Sequence, residues 1–102
     1  MASVVILYTP PEQAEDFERR YHADYLPAIR AIPQVTRLTS RRVTGGPYGD
    51  PPFYRVETWH LSDTAEPRLV FQRSAWRAAP ELVGFALGLA TPMFVEESND
   101  EP

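Results

Sequence analysis

Two histidines, five tyrosines and one charged pair on a strand are the side chains of this sequence best suited to chemistry. His22 and His60 are the only histidines, and each is a candidate general base because an imidazole titrates near neutral pH. On a helical wheel His22 falls about 140° from Phe17, off the apolar stripe, so a solvent-facing histidine one turn from Glu18 stands beside the proton-transfer reading. His60 closes an aromatic-rich run and either points into a cavity or ends a strand. Tyr25 is a second proton-handling candidate. A phenol can donate a hydrogen bond to a developing enolate or a bound carbonyl, or it can be a core ring with its hydroxyl in water. Tyr21 lies one turn earlier and reads mainly as core. Arg55 and Glu57 share one face of the run from Phe53 to Leu61, with Tyr54 on the opposite face. Buried charges need partners, so Arg55 and Glu57 are expected to pair with each other, with Arg41, or across a subunit boundary. The alternative is a carboxylate and a guanidinium lining a cavity, with Tyr21 and Tyr54 as further ligand contacts.

Other chemistries are excluded or unsupported. The chain has no cysteine, so disulfides and thiolate sites are absent. All ten basic residues are arginine, which removes Schiff-base chemistry on a lysine. The two histidines have no metal-ligand spacing, and Gly45-Gly46-Pro47 places a proline where a phosphate loop needs N–H donors. No flavin or nicotinamide motif occurs, so any reaction is expected to be cofactor-independent. A net charge of −4 without a basic stripe argues against nucleic acid as a partner. No apolar run is long enough to span a bilayer and the start lacks a signal-peptide pattern, so a cytoplasmic location is expected and no membrane partner.

The elements that must position these residues follow from periodicity. At 102 residues, 43% hydrophobic and 24% charged, the chain fits one domain. Residues 1–96 are expected to form it, with 97–102 an acidic tail. Ser3 to Thr9 reads as a central strand buried on both faces. A helix from Pro11 to about Ala31 would turn Ala14, Phe17, Tyr21, Asp24, Tyr25 and Ala28 to the sheet, with Pro27 kinking it or ending its regular part. Val35 to Thr44 and Phe53 to Leu61 read as strands separated by a Gly/Pro loop. Ser62-Asp63 would cap a helix over 64–74, a second helical stretch over 75–87 breaks at Pro80, and Leu89 to Glu96 is an edge strand containing Pro92. The order β-α-β-β-α-β makes an α+β, ferredoxin-like split sheet with its helices on one face. The other face is expected to be apolar and aromatic and to need a second copy as cover.

Three segments carry a family resemblance: Phe17-Glu18-Arg19-Arg20-Tyr21-His22-Ala23-Asp24-Tyr25-Leu26-Pro27, the Gly-Pro loop followed by Pro51-Pro52-Phe53-Tyr54-Arg55-Val56-Glu57, and Leu61-Ser62-Asp63. Together they resemble the EthD-like (ethyl tert-butyl ether degradation) family from about Val4 to Val95. The resemblance implies a dimeric α+β barrel with a cavity for a small hydrophobic or aromatic ligand. Relatives of that fold include cofactor-independent oxygenases, isomerases and cyclases, and a non-catalytic accessory protein has the same architecture. The sequence departs from the family pattern where Tyr25 replaces the usual histidine two residues before the helix proline, and where Tyr54 and Thr58 replace acidic residues, so acid–base roles at those positions are not carried over.

Overall fold

The computed structural model describes residues 2–96; Met1 and the acidic tail at 97–102 lie outside the described residues. The elements run β1 (Ala2–Tyr8), α1 (Ala14–Arg20), a π-turn (Tyr21–Tyr25), α2 (Leu26–Arg30), β2 (Val35–Arg42), β3 (Arg55–Leu61), α3 (Pro67–Gln72), α4 (Ala75–Ala78), α5 (Pro80–Val83), a 3-10 turn (Gly84–Ala86) and β4 (Ala90–Glu96). The strands pair in the order β2-β3-β1-β4, all neighbours antiparallel. β1 and β2 are therefore parallel with β3 slotted between them, the split β-α-β arrangement expected from the element order.

Residues α1 through α2 form one continuous but irregular rod. Pro27 has no N–H to give the carbonyl of Ala23, and an α-helix through that point would lose a bond and meet the ring. The chain widens instead: the N–H of Leu26 donates to the carbonyl of Tyr21, five residues back. The widened turn rotates less per residue than an α-helix. Phe17, Tyr21, Tyr25 and Ile29, four residues apart, would drift by about 40° per step in a regular helix. Here all four are buried, and the rings of Phe17, Tyr21 and Tyr25 stack at 5.4 and 5.3 Å between centroids. The proline thus neither ends the helix nor simply kinks it. The same widening revises the expected stripe beyond Tyr21, because Asp24 is exposed while Leu26 and Ile29 are buried; Ala14, at the start of α1, is exposed as well.

The core lies between this rod, the short helices α3–α5 and one face of the sheet. Val4, Ile6 and Tyr8 of β1 and Arg55, Glu57, Trp59 and Leu61 of β3 alternate into it. In the single chain β1 is buried on one face only; Ser3, Val5 and Leu7 on the other are half-buried. α3 starts at Pro67, not at the expected Ser62-Asp63 cap. Proline suits the first helical position, and Glu66 accepts the Leu69 N–H as N-cap. Ser74 caps α4 by accepting the N–H of Trp76 while donating to the Phe71 carbonyl.

With helices on one side only, the molecule is a slab 18 Å thick. The uncovered sheet face is divided. Val5, Leu7, Val56, Met93 and Val95 make an apolar half over β4, β1 and β3, and Arg37, Thr39 and Arg41 make a polar half on edge strand β2. The expected aromatic residues are missing from it. Tyr54 precedes the regular strand, so the alternation does not extend back to it, and it packs edge-on against Phe17 on the helix side.

The π-turn predicts a contrast between two neighbouring positions. Asp24→Ala should change stability by no more than about 0.5 kcal/mol, whereas Leu26→Ala should cost about 2–5 kcal/mol, both measured by urea unfolding. A regular helix would make Asp24 the more sensitive of the two.

Candidate functional site

A carboxylate with no salt-bridge partner among the described residues sits at the centre of the core. Glu57 is fully buried on the helix-facing side of β3. Its Oε1 accepts from the hydroxyls of Tyr8 at 2.9 Å and Tyr21 at 2.6 Å. Its Oε2 accepts from the hydroxyl of Tyr25 and the indole N–H of Trp59, both at 2.5 Å. A carboxylate has about four acceptor sites, and here four neutral donors fill them. The donors come from β1, the π-turn and β3 itself. Behind Tyr25, the Trp76 indole donates to its hydroxyl at 2.9 Å, and Phe85 from the 3-10 turn packs edge-on to its ring.

The electrostatics are set by burial. Burial pushes the Glu57 carboxyl above the ordinary glutamate range, and the bonds from Tyr21, Tyr25, Trp59 and Tyr8 pull it only part of the way back. The phenols of Tyr8, Tyr21 and Tyr25 are raised too, first by burial and then by the Glu57 charge, so all three stay protonated donors.

A second cluster adjoins the first. Arg55, almost fully buried, donates to both oxygens of Glu18 at 2.5 and 2.7 Å and to Ser40 Oγ at 2.9 Å, and its guanidinium lies 4.8 Å from the Tyr21 ring centroid. Its Nε is a buried donor without an acceptor. Tyr54 also donates to Glu18, at 2.6 Å. Burial alone would raise Glu18, but the bonds from Tyr54 and Arg55 outweigh it and hold the carboxyl below its usual range. Burial, followed by the Glu18 bond, raises the Tyr54 phenol.

The sequence-derived candidates therefore separate into groups. Tyr21, Tyr25 and Glu57 meet at one point, and Arg55 and Tyr54 meet beside it. His22 stands on the solvent side of the π-turn with Nε2 3.1 Å from Glu18 Oε2. His60 is on the uncovered sheet face, beside Ser3 and Arg37 in register, with the sheet between it and Glu57. Arg55 does not pair with Glu57, and Glu57 does not pair with Arg41, among the described residues. Arg55 reaches helix α1 from the start of β3, while Arg41 points to the other face. Tyr25 is a fully buried core ring, but its hydroxyl is bonded to Glu57 instead of water.

Sequence reasoning missed Tyr8, Glu18, Ser40, Trp59 and Trp76. One signal was available. A glutamate between Arg55 and Trp59 on a buried strand face needs donors, and the alternation that places Val4 and Ile6 inward places Tyr8 there too. Ser40 and Trp76 had no comparable mark, because their roles depend on strand register and on the packing of α4.

A groove of about 260 Å³ runs outside this cluster, lined by Pro11, Gln13, Asp16, Phe17, Phe85 and Leu89 among others. Phe17 and Phe85 form its inner wall, and their rings also touch Tyr21 and Tyr25 respectively. Among the described residues no cluster of three His, Cys, Asp or Glu is placed to hold a metal ion, and no helix is long and apolar enough to cross a membrane.

No family model and no curated protein matches the sequence. Solved structures do. The chain is similar to an EthD family protein of Bacillus halodurans C-125, at 28% identity and a TM-score of 0.82 over 96% of this chain and 99% of that one. It shares its fold with SnoaB, a cofactor-independent oxygenase of Streptomyces nogalater, at 17% identity and TM-score 0.54 over 98% and 97% of the two chains. It also shares it with a dimeric ferredoxin-like protein from an uncultured marine organism, at 13% identity and TM-score 0.52 over 92% and 89%. The EthD-like resemblance and the ferredoxin-like α+β fold read from the sequence are both supported by these likenesses.

The direction of the Glu57 shift has a measurable sign. A carboxyl whose folded value is raised binds more protons in the folded state than in the unfolded state between the two values. Its stabilisation is complete below the unfolded value and is lost as pH rises through the folded one. Glu57→Gln removes this dependence while Glu18 remains in both proteins. The stability of wild type minus that of Glu57→Gln should therefore fall as pH rises from the ordinary glutamate range, in urea titrations at stepped pH. A difference that grows with pH would mean that the four donors outweigh burial.

Proposed function

We propose that this EthD-like protein works as a homodimer on a small aromatic or otherwise apolar ligand bearing an acidic C–H or O–H, and that Glu57 with its tyrosines moves the proton without a cofactor. The observation that carries this reading is a buried carboxylate held by three phenols and an indole, with no salt bridge among the described residues to pin it in its charged form. Such a group is poised to take up and return a proton away from water. The groove beside Phe17 and Phe85 offers an approach, one ring away from Tyr25.

In this reading an acidic C–H gives its proton to a Glu57 oxygen. The electron pair left behind spreads onto a ligand carbonyl oxygen, and a tyrosine hydroxyl released from Glu57 donates to it. Return of the proton to another carbon gives an isomer, attack on an internal carbonyl gives a ring, and capture by dioxygen gives an oxygenated product. The likeness to SnoaB is one of fold and lends the last outcome analogy only. His22 and His60 are assigned no part in the proton step: the first is bonded to Glu18 at the surface and the second lies across the sheet.

One observation favours a second reading, a non-catalytic ligand-binding or accessory protein. All acceptor sites of Glu57 are occupied by protein donors, as a purely structural buried carboxylate requires. A screen of small phenolic and quinonoid compounds separates the two. If the catalytic reading holds, at least one compound is converted, and Glu57→Gln lowers its turnover by about 10²–10⁴-fold while binding persists. Conversion that survives Glu57→Gln unchanged overturns it, and retention without conversion favours the binder.

The homodimer rests on the apolar half of the uncovered face, on the thinness of the slab, and on a fold shared with a protein described as dimeric. The protein should sediment at twice its 11.6 kDa chain mass at micromolar concentration, and Leu7→Arg, a charge placed in the apolar half, should shift it to the single-chain value. Wild type sedimenting as a single chain would exclude the pairing.

A further inference from the structure

Glu57 is sealed from solvent, yet a group that cycles protons must recover its starting state. Each of its four donors is a possible route outward. The Trp59 indole N–H can donate but cannot pass a proton on. The Tyr8 hydroxyl is fully buried and, beyond Glu57, meets the equally buried Tyr25 hydroxyl, which leads no further outward. The Tyr25 hydroxyl is backed by the Trp76 indole, another donor that cannot relay. Tyr21 differs: its hydroxyl lies 2.7 Å from Ser40 Oγ as well as 2.6 Å from Glu57 Oε1. Ser40 is half-buried on β2, an edge strand of the sheet.

The direction of this chain is fixed by Tyr21, whose single hydrogen goes to Glu57, so that it can only accept from Ser40. Arg55 Nη1 donates to Ser40 Oγ at 2.9 Å and leaves the serine hydrogen for Tyr21. Tyr21 in turn donates to Glu57. The order of donation is Arg55 to Ser40 to Tyr21 to Glu57, all bonds running inward. Chains aligned in this way polarise one another. The guanidinium keeps its own proton at any ordinary pH, so it orients the chain and supplies nothing to it.

From this geometry we infer that Ser40 is the port through which Glu57 exchanges its proton with water, with Tyr21 as the only relay between them. For uptake, a hydronium at the surface protonates Ser40 at its remaining lone pair and is left as water, Ser40 passes its own hydrogen to Tyr21, and Tyr21 passes its hydrogen to Glu57 Oε1. The serine and tyrosine oxygens each gain one proton and give one, and the net change is one proton added to the carboxylate. Release runs the same steps in reverse. Ser40 is a positioning and relay residue in this scheme and touches no ligand. The charged and titratable groups facing the path are Arg55 from β3, Tyr8 from β1 and Tyr25 from the π-turn, with Glu18 from α1 behind Arg55.

The inference extends the proton-handling reading of Glu57, but its test needs no ligand, so failure to find a substrate leaves it standing. The chain has two tryptophans, and both are in the network: Trp59 donates to Glu57 and Trp76 to Tyr25. Their fluorescence should titrate with Glu57 above the ordinary glutamate range, and Glu57→Gln should abolish the transition. After a laser-induced pH jump from a caged proton, Ser40→Ala should relax more slowly than wild type, on the order of tenfold or more, with the amplitude kept. Tyr21→Phe should slow it likewise, and Ser40→Thr, which keeps the hydroxyl, should restore the rate. The inference is overturned if Ser40→Ala and Tyr21→Phe relax at the wild-type rate, if Ser40→Thr is as slow as Ser40→Ala, or if no Glu57-dependent transition appears. A Ser40→Ala protein that does not fold leaves the decision to Tyr21→Phe and Ser40→Thr.

Discussion

A carboxylate taken out of water costs several kcal/mol unless its oxygens are fully bonded, and the rest of this small protein is arranged around meeting that requirement for Glu57. The protein does so without an opposite charge. Three phenols and an indole converge on it from separate elements, so the bonding of one side chain ties together β1, β3 and the π-turn, and through Trp76 also α4. Each ring contributes twice. Its edge and faces fill the space between helix and sheet, and its polar tip points at the carboxylate. Losing any one donor would strip an acceptor bond from a buried charge, which makes the cluster cooperative in a way an apolar core is not.

The sheet divides the labour between its faces. Every aromatic side chain that packs into the layer around Glu57 does so on the helix side, while the uncovered face carries aliphatic residues on one half and arginines on the other. The two clusters of ionisable groups on the helix side are also kept distinct. Arg55 neutralises Glu18 at the rim of the core, and Glu57 is left to neutral donors in the interior. Had the guanidinium reached Glu57, the carboxyl would be held charged; with Glu18 taking it, burial governs instead.

Much of the architecture was legible in the sequence. The β-branched run at the start, the Gly/Pro loop after β2 and the proline at 80 mark breaks between elements, and their order allows few topologies. Tyr21, Tyr25 and Glu57 were legible as candidate residues, but their meeting was not. A helical wheel assumes a fixed rotation per residue, and the π-turn breaks that assumption between Tyr21 and Tyr25, which is why Asp24 was misplaced and Leu26 overlooked. Strand alternation failed at Tyr54 because the strand begins one residue later. Ser40 and Trp76 become part of the site only through pairing register and helix packing, neither of which leaves a periodic trace. The histidines drew attention by residue type, and type alone says nothing about which side of a sheet a side chain occupies.

The widened turn before Pro27 also makes the first helix behave like a vernier. It holds one residue more than an α-helix of the same angular span, and that surplus brings the ring of Tyr25 back under that of Tyr21. Chain length across this stretch is consequently as constrained as residue identity. Shortening it by one position would leave the remaining side chains chemically intact and close the rod into a regular α-helix of the same angular span, yet the ring of Pro27 would then meet the carbonyl four residues before it, the clash that the widened turn avoids. In this segment the spacing between the aromatic residues is itself a determinant of the site.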